Sequence, residues 1–194
     1  MYLHVDLDTI ARFAGKCGER EAHRAYTNLQ LWICTKESRL AVSHAGQVIR
    51  AGRAVPPYQL RGPDSFAIYH AIMVLWTYSM LMRDRANKTA PCTPTPEPSS
   101  GEQLLFLDEA PSQQQQPAVN AFIFAGRGIS CLRIIPTAAD ASKEDAICDL
   151  RNPSQVMQLG VRLLDSTHPG SNRDDGPPLL RALCGLMEDL GKLR

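Results

Sequence analysis

Apolar residues recur every three or four positions through the first half of the chain, the spacing that places them on one face of an α-helix. This periodicity predicts a short first helix over residues 8–17, with Asp8 as its N-cap and Gly18 just beyond its end. A second helix is predicted from 19 to about 35, and a third over 36–55, where two prolines end it. The apolar face of the third helix consists mostly of small residues, so we expect a partner helix to approach it closely.

The most apolar segment covers residues 65–82, which carry no formal charge and lie between Asp64 and Arg83. Its length approaches the roughly 18 residues that a membrane-spanning helix needs. Polar and hydroxyl-bearing side chains dilute its apolar content, and a helix that is apolar on most sides also suits the centre of a helical domain. We therefore predict a buried core helix and no membrane association. The diluting residues are Ser65, Tyr69, His70, Thr77, Tyr78 and Ser79.

Composition changes sharply between residues 86 and 117, where prolines, a pair of serines and a run of glutamines replace the apolar stripes. Such a segment cannot bury enough apolar area to offset the entropy lost on ordering it, so we predict a disordered insert that interrupts one domain. Within it, the apolar run 104–107 is expected to form a strand-like segment that docks on the domain. Thr93 and Thr95 each precede a proline and are candidate sites for proline-directed phosphorylation.

Apolar patterns return after the insert. Residues 119–125 form a short apolar run that fits either a strand or a buried helix, and periodicity does not decide between them. Asn152 followed by Pro153 predicts an N-cap and the first turn of a helix. A last, leucine-rich helix is predicted near the end of the sequence, with Asp174 or Asp175 as its cap.

These elements predict an all-α fold, an irregular domain of about six helices. Residues 1–85 would form its N-terminal helical part, 86–117 the insert, and 118–194 the C-terminal helical part of the same domain. The length of 194 residues is typical of one domain. Lys and Arg number 21 against 20 Asp and Glu, a net charge of +1. That charge lacks the broad positive field of a free-standing nucleic-acid-binding domain.

The cysteines and the N-terminal residues bear on the cellular compartment. The six cysteines are scattered, and no two have the C-x-x-C or C-x-C spacing that presents two thiolates to one zinc ion. We predict reduced thiols in an intracellular chain and no metal or cofactor bound by it. The first eight residues lack the basic and apolar regions of a secretory signal.

The sharpest enzyme-like pattern is Gly126-Arg127-Gly128-Ile129-Ser130-Cys131, which follows an apolar run and is similar to a dinucleotide-binding turn. Cys131 stands where that fingerprint has its third glycine, and Pro136 interrupts the helix that should follow. Asp145 and Asp149 lie near the distance expected of a ribose ligand. We favour a flexible connection over a nucleotide site.

Basic residues bias one side of the third predicted helix. Arg39, Arg50 and Arg53, with Lys36 nearby, would form this positive face. Few aromatic residues lie among them, so we favour a solvated face over a nucleic-acid contact.

A series of segments along the chain occurs in a recognisable order. They are Leu3-His4-Val5-Asp6-Leu7, Phe13-Ala14-Gly15-Lys16, 29–32, His44-Ala45-Gly46-Gln47-Val48-Ile49-Arg50, Ala67-Ile68-Tyr69-His70-Ala71, Leu75-Trp76-Thr77-Tyr78-Ser79 and Asp175-Gly176-Pro177-Pro178-Leu179-Leu180. In order and spacing, they resemble the fungal-specific transcription factor domain, in the branch found downstream of tandem C2H2 zinc fingers. Residues 128–130 depart from that pattern, because the family tends to have a proline soon after the glycine.

The resemblance implies a mostly α-helical regulatory region of a nuclear transcription factor that controls RNA polymerase II transcription. In such a factor, DNA contact and zinc belong to fingers elsewhere in the polypeptide, and no catalytic residue carries over. The sequence starts inside the region that resembles the family, so we expect a C-terminal fragment of a factor of this kind, from a truncated gene model, processing or a degenerate copy. Its expected partners are other regions of the same factor, transcriptional co-regulators or a second copy of the chain.

Other functional hypotheses remain open at this point. The helical domain could enclose a small-molecule effector near Tyr69, His70, Met73 and Trp76, and would then be a ligand-binding module. It could also be a stand-alone interaction remnant without DNA-binding activity. An enzyme is supported only by the glycine turn, and we expect no enzymatic activity.

Overall fold

A computed structural model of the chain describes residues 1–60, 62–89, 103–110, 112–134, 147–167 and 177–193. Seven helices and three strands lie in these ranges, which confirms the predicted mostly helical fold and adds a small sheet to it. The helices are α1 (Leu7–Phe13), α2 (Glu19–Trp32), α3 (Lys36–Arg53), α4 (Gly62–Thr89), α5 (Gln116–Ala125), α6 (Pro153–Ser166) and α7 (Pro178–Gly191). The strands are β1 (Leu104–Phe106), β2 (Ile129–Arg133) and β3 (Ile147–Asp149).

The long helix α4 forms the centre of the domain, where it contacts α1, α3, α6 and α7. Ile72, Leu75 and Trp76 on α4 are almost completely buried. By length and composition the helix could cross a membrane, but its most apolar window is 67% buried inside the domain. Burial of this kind is typical of the core helix of a folded domain, and favours the predicted core helix over a membrane span.

The first helix begins two residues earlier than its predicted cap allows and ends four residues before its predicted end. Asp6, in extended backbone conformation, is the N-cap, and its side chain accepts a hydrogen bond from the backbone N–H of Asp8. Asp8 lies instead in the first turn, where it pairs with Arg12. The helix ends at Phe13 because Gly15 adopts a φ of 97°, which breaks the helical path before Gly18 is reached.

The packing of α3 on its neighbours depends on its small residues, as predicted. Thr35 caps this helix by accepting a hydrogen bond from the backbone N–H of Ser38 at 3.2 Å. A Cβ on Gly46 would lie 2.5 Å from Leu107, and one on Gly52 would lie 2.8 Å from Ile68 of α4. Only glycine therefore allows these close approaches.

The three strands form one sheet in the order β1-β2-β3, with β1 parallel and β3 antiparallel to β2. Leu105 and Leu107 are buried, so the apolar run 104–107 docks on the domain as predicted. The ends of the predicted insert are thus ordered, because α4 continues to Thr89 and α5 begins at Gln116. Within the insert, residues 90–102 and 111 lie outside the described residues.

The ambiguous run 119–125 is part of helix α5, which Gly126 ends in the left-handed conformation. The predicted cap of α6 is confirmed, since the Asn152 side chain accepts a hydrogen bond from the backbone N–H of Gln155. The N-cap position of α7 is Pro177, so the prediction of an aspartate cap was wrong. Asp174 and Asp175 lie outside the described residues.

Candidate functional site

The four residues predicted to contact an effector lie in the middle of α4, where His70 contacts Tyr2 and Trp76 contacts Phe13. Met73 and Trp76 are buried, and the Trp76 ring lies 5.5 Å from the ring of Phe13. Tyr69 and His70 are half-buried, with their rings 5.6 Å apart. Burial lowers the pKa of His70 and raises the pKa of Tyr69. The structure brings the four residues near one another along the helix, but none of them lines the cavity described below.

The glycine turn does not have the surroundings of a dinucleotide-binding site. It follows a helix, α5, and leads into a strand, β2, which reverses the strand-to-helix order that the fingerprint requires. Asp149 forms hydrogen bonds with Arg151, while Asp145 lies outside the described residues. The two glycines, both with positive φ, instead redirect the chain from the end of α5 into the sheet.

This turn borders a cavity of about 610 Å³. The cavity lies between the second half of α4, helix α5, the sheet and the turn that follows β3. Its size is within the range of small-molecule binding sites. The residues that line it are Tyr78, Met82, Gln103, Leu105, Ala118, Ala121, Phe122, Gly126, Arg127, Gly128, Ile129, Ser130, Asp149, Leu150 and Arg151. We call it the α4–α5 cavity.

Two hydroxyl-bearing residues in the wall of the α4–α5 cavity are largely buried. They are Tyr78, which is 5% exposed, and Ser130, which is 9% exposed. Neither hydroxyl bonds to another described residue, so both can bond a ligand in the cavity. Burial raises the pKa of Tyr78 to about 12, which keeps its hydroxyl protonated and able to donate a hydrogen bond at neutral pH.

The charged residues of the α4–α5 cavity leave one positive group unpaired. Asp149 accepts hydrogen bonds from the backbone and the guanidinium of Arg151, at 2.8 and 3.0 Å. The exposed Arg127 lies in the turn between α5 and β2, and its guanidinium has no partner within the described part of the chain. Arg39 and Arg85 also act on the Tyr78 hydroxyl, where they oppose the effect of burial on its pKa.

The predicted basic face of α3 is largely used inside the domain. Arg39 donates through Nε to the backbone carbonyl of Ile123 at 2.8 Å, which joins α3 to α5. Arg53 pairs with the buried carboxylate of Asp108. Lys36 lies over the ring of Phe124, 4.2 Å from its centroid. Arginine and lysine side chains that make such contacts within the domain are less available to bind phosphates than solvent-exposed side chains would be.

Cysteines and other metal-ligating side chains do not converge in the described ranges, where no group of three His, Cys, Asp or Glu residues could hold a metal ion. Cys131 and Cys148 are buried in the sheet, and burial raises the pKa of both thiols to about 12. Thr93 and Thr95, the candidate phosphorylation sites, lie outside the described residues.

Comparison of the chain with protein-family models, with curated proteins and with solved structures gave no match. The resemblance to the fungal-specific transcription factor domain therefore remains a similarity in sequence segments, and membership of a family is not shown.

Sequence reasoning missed the α4–α5 cavity, although one of its walls carried a signal. In sequence the pattern around Arg127 is similar to a nucleotide motif, whereas in the structure it borders a cavity lined by both apolar and polar residues. Tyr78 and Ser130 are far apart in sequence, and no local pattern marks either of them as a site residue.

Proposed function

We propose that this chain is a non-enzymatic regulatory domain of a fungal zinc-finger transcription factor. In this proposal it acts in the nucleus on RNA polymerase II transcription through contacts with an effector or with other proteins. Zinc fingers elsewhere in the factor would contact DNA and hold the zinc. The ordered sequence segments that resemble the fungal-specific transcription factor domain support this assignment.

The α4–α5 cavity is the structural observation that carries the proposal. It lies between elements of a helical domain, has the volume of a small-molecule site and is bordered by two largely buried residues whose hydroxyls have no partner among the described residues. A ligand that binds only the folded domain stabilises it by an amount that grows with the logarithm of the ligand concentration relative to its Kd. Occupancy of this cavity would thus change the stability of the domain, which is the physical route that we propose from an effector to a change in transcription.

The apolar faces of α3 and α7 and the basic face of α3 make their contacts within the domain, which agrees with the same proposal. The apolar stripe of α3 and that of α7 face the domain core, since Ala45, Ile49, Leu183 and Met187 are all buried. The arginines of α3 bond to groups within the domain. Contacts with co-regulators or with a second copy would then involve other surfaces, and contacts with DNA would involve other parts of the factor.

A second candidate function is a small-molecule-binding module with no link to transcription. The same cavity favours it, and the two candidates differ in what ligand binding does. Binding to the purified chain is expected under both, whereas an effect on transcription is expected only under the first.

A tethering experiment tests the first proposal. The chain is fused to a bacterial DNA-binding domain in yeast, and transcription is measured from a reporter gene that carries the matching operator. We expect the fusion to raise or lower transcription relative to the DNA-binding domain alone. A reporter level equal to that of the DNA-binding domain alone, from a fusion that is folded and nuclear, would overturn the proposal.

Two glycine variants provide matched controls for this experiment. A Cβ on Gly160 would lie 2.8 Å from Ile72 and 3.0 Å from Met187, so Gly160→Leu should disrupt the core and abolish the effect. A Cβ on Gly185 meets no atom within 4 Å, so Gly185→Leu should keep it. Retention of the effect in Gly160→Leu would show that the reporter responds to the fusion in a way unrelated to the fold.

A further inference from the structure

We propose that the α4–α5 cavity binds a small organic carboxylate with an apolar body. This inference rests on the proposed function, because it names the chemical class of the effector. The guanidinium of Arg127 would bind the carboxylate, and the hydroxyls of Tyr78 and Ser130 would donate hydrogen bonds to the ligand's oxygens. Apolar side chains would contact the rest of the ligand; they are Met82, Leu105, Phe122, Ile129 and Leu150.

The charges in the wall favour an anion. Asp149 is the acidic residue of the lining, and its carboxylate already bonds to Arg151. Arg127 has no partner among the described residues, and a bound anion would supply one. Hydrogen bonds between a guanidinium and a carboxylate are stronger than those between neutral groups and are often bidentate. A cationic ligand would meet no unpaired carboxylate there.

The free hydroxyls point to a ligand with hydrogen-bond acceptors. Both residues are more than nine-tenths buried, and their hydroxyls have no partner among the described residues. A ligand oxygen in the cavity would accept a hydrogen bond from each. Because the pKa of Tyr78 is about 12, its hydroxyl keeps its proton and can act as the donor.

The backbone of the turn disfavours a nucleotide or a free phosphate as the ligand. Phosphate sites use several free N–H groups at a helix N-terminus, whereas this turn leads into a strand. The N–H of Arg127 bonds to the carbonyl of Ala121 at 3.2 Å, and that of Ile129 bonds to Gln103 at 3.1 Å. The apolar part of the lining would contact the body of an organic acid, which a free phosphate lacks.

Three probes of similar shape and different charge test the proposal on the full chain. They are 4-phenylbutyrate, 4-phenylbutanol and 4-phenylbutylamine, and two further acids, decanoate and indole-3-acetate, broaden the test. Binding is followed by ¹H–¹⁵N NMR titration and by calorimetry. We expect at least one acid to bind saturably, with shifts centred on the amides of the turn from Gly126 to Ser130, and the phenyl acid to bind about tenfold or more tightly than the alcohol. The amine should bind most weakly.

Variants assign the roles of the residues. Arg127→Gln should weaken binding of the acid about tenfold and leave that of the alcohol unchanged. Arg20→Gln, which changes an exposed arginine on α2, is the matched control and should leave both unchanged. Tyr78→Phe should weaken binding of the acid without lowering the thermal stability of the free protein, since the hydroxyl has no partner to lose among the described residues.

Several outcomes would overturn the carboxylate site. The first is that none of the three acids causes saturable NMR shifts in the turn at concentrations up to about 1 mM. The second is that the phenyl acid and the alcohol bind with equal affinity. The third is that Arg127→Gln binds the acid as tightly as the wild type. Failure of the proposed function looks different. In that case an acid binds as expected, but the reporter output of the tethered chain stays at the level of the DNA-binding domain alone, with or without the acid. This result would support the site and contradict the role in transcription.

Discussion

Arg53 on α3 forms an ion pair with Asp108, whose carboxylate is completely buried in the turn after β1. The same carboxylate oxygen accepts a hydrogen bond from the backbone N–H of Arg133 on β2 at 3.0 Å. The Arg53 guanidinium also donates to the backbone carbonyl of Arg133. These bonds join the helical part of the domain to the sheet, which in turn forms one wall of the α4–α5 cavity.

Removal of one partner of this ion pair should lower the stability of the fold. Asp108→Ala leaves a largely buried guanidinium without its counter-charge, so we expect the free energy of unfolding to fall by about 3 kcal/mol in urea denaturation. The double variant Arg53→Met with Asp108→Leu should recover most of that loss, because it removes both charges. Asp189→Ala breaks the exposed pair with Lys192 and should change stability by less than about 0.5 kcal/mol. A similar effect of the two single variants would contradict the structural role of Asp108.

Two glycines with different surroundings predict opposite effects of substitution: Gly46 of α3 packs closely on the turn after β1, and Gly185 of α7 does not contact a neighbouring element. In Gly46→Ala the new Cβ would lie 2.5 Å from both the Cβ and the carbonyl oxygen of Leu107, so we expect a loss of about 1 to 3 kcal/mol. Gly185→Ala adds a Cβ that meets nothing within 4 Å on an exposed face of α7, and should stabilise the protein by about 1 kcal/mol. Thermal unfolding of both variants measures these changes, and a tolerated Gly46→Ala would argue against the packing of α3 on Leu107.

The pH dependence of stability should report on His70. Burial lowers the pKa of His70 below its ordinary value of 6.5, so the unfolded chain binds its proton first as the pH falls. The stability that the neutral His70 contributes to the folded state is therefore fully present above about pH 6.5. It is lost as the pH falls from there toward the lowered pKa of His70 in the folded state. In urea unfolding, His70→Gln should lose less stability than the wild type between about pH 7.5 and 5. His23→Gln, on the exposed side of α2, is the control variant, and equal slopes for the wild type and His70→Gln would contradict the prediction.

Thiol reactivity should separate the cysteines into two classes. Cys17 and Cys34 are exposed, whereas burial raises the pKa of Cys131 and Cys148 to about 12 and leaves almost no thiolate at neutral pH. A variant with serine in place of Cys17, Cys34, Cys92 and Cys184 keeps only the two thiols of the sheet and should react with Ellman's reagent only after urea is added. Fast reaction of this variant in native buffer would show that the sheet opens readily.

The positions of the helices were predictable where the local sequence pattern fits only one type of secondary structure. The ladder of apolar residues in α3 and α4, and the pair Asn152 and Pro153 at the start of α6, fix these elements because periodicity and capping are local properties. Asp6 and Asp8 are both adequate caps in sequence, and in the structure Asp6 has the extended backbone and the side-chain hydrogen bond of the cap. Residues 119–125 were ambiguous for the same reason, since a short apolar run is equally suited to a strand and to a buried helix.

The candidate site depends on contacts between distant parts of the chain. The sequence by itself determined a helical domain with α4 at its centre, because the spacing of apolar residues fixes which face of each helix is buried. Only the tertiary structure decided that the turn at Arg127, Tyr78 of α4 and the turn after β3 border one cavity, and that the arginines of α3 bond within the domain. The physical reason is that burial and pairing of polar groups depend on which elements pack together, and apolar periodicity carries no information about that choice.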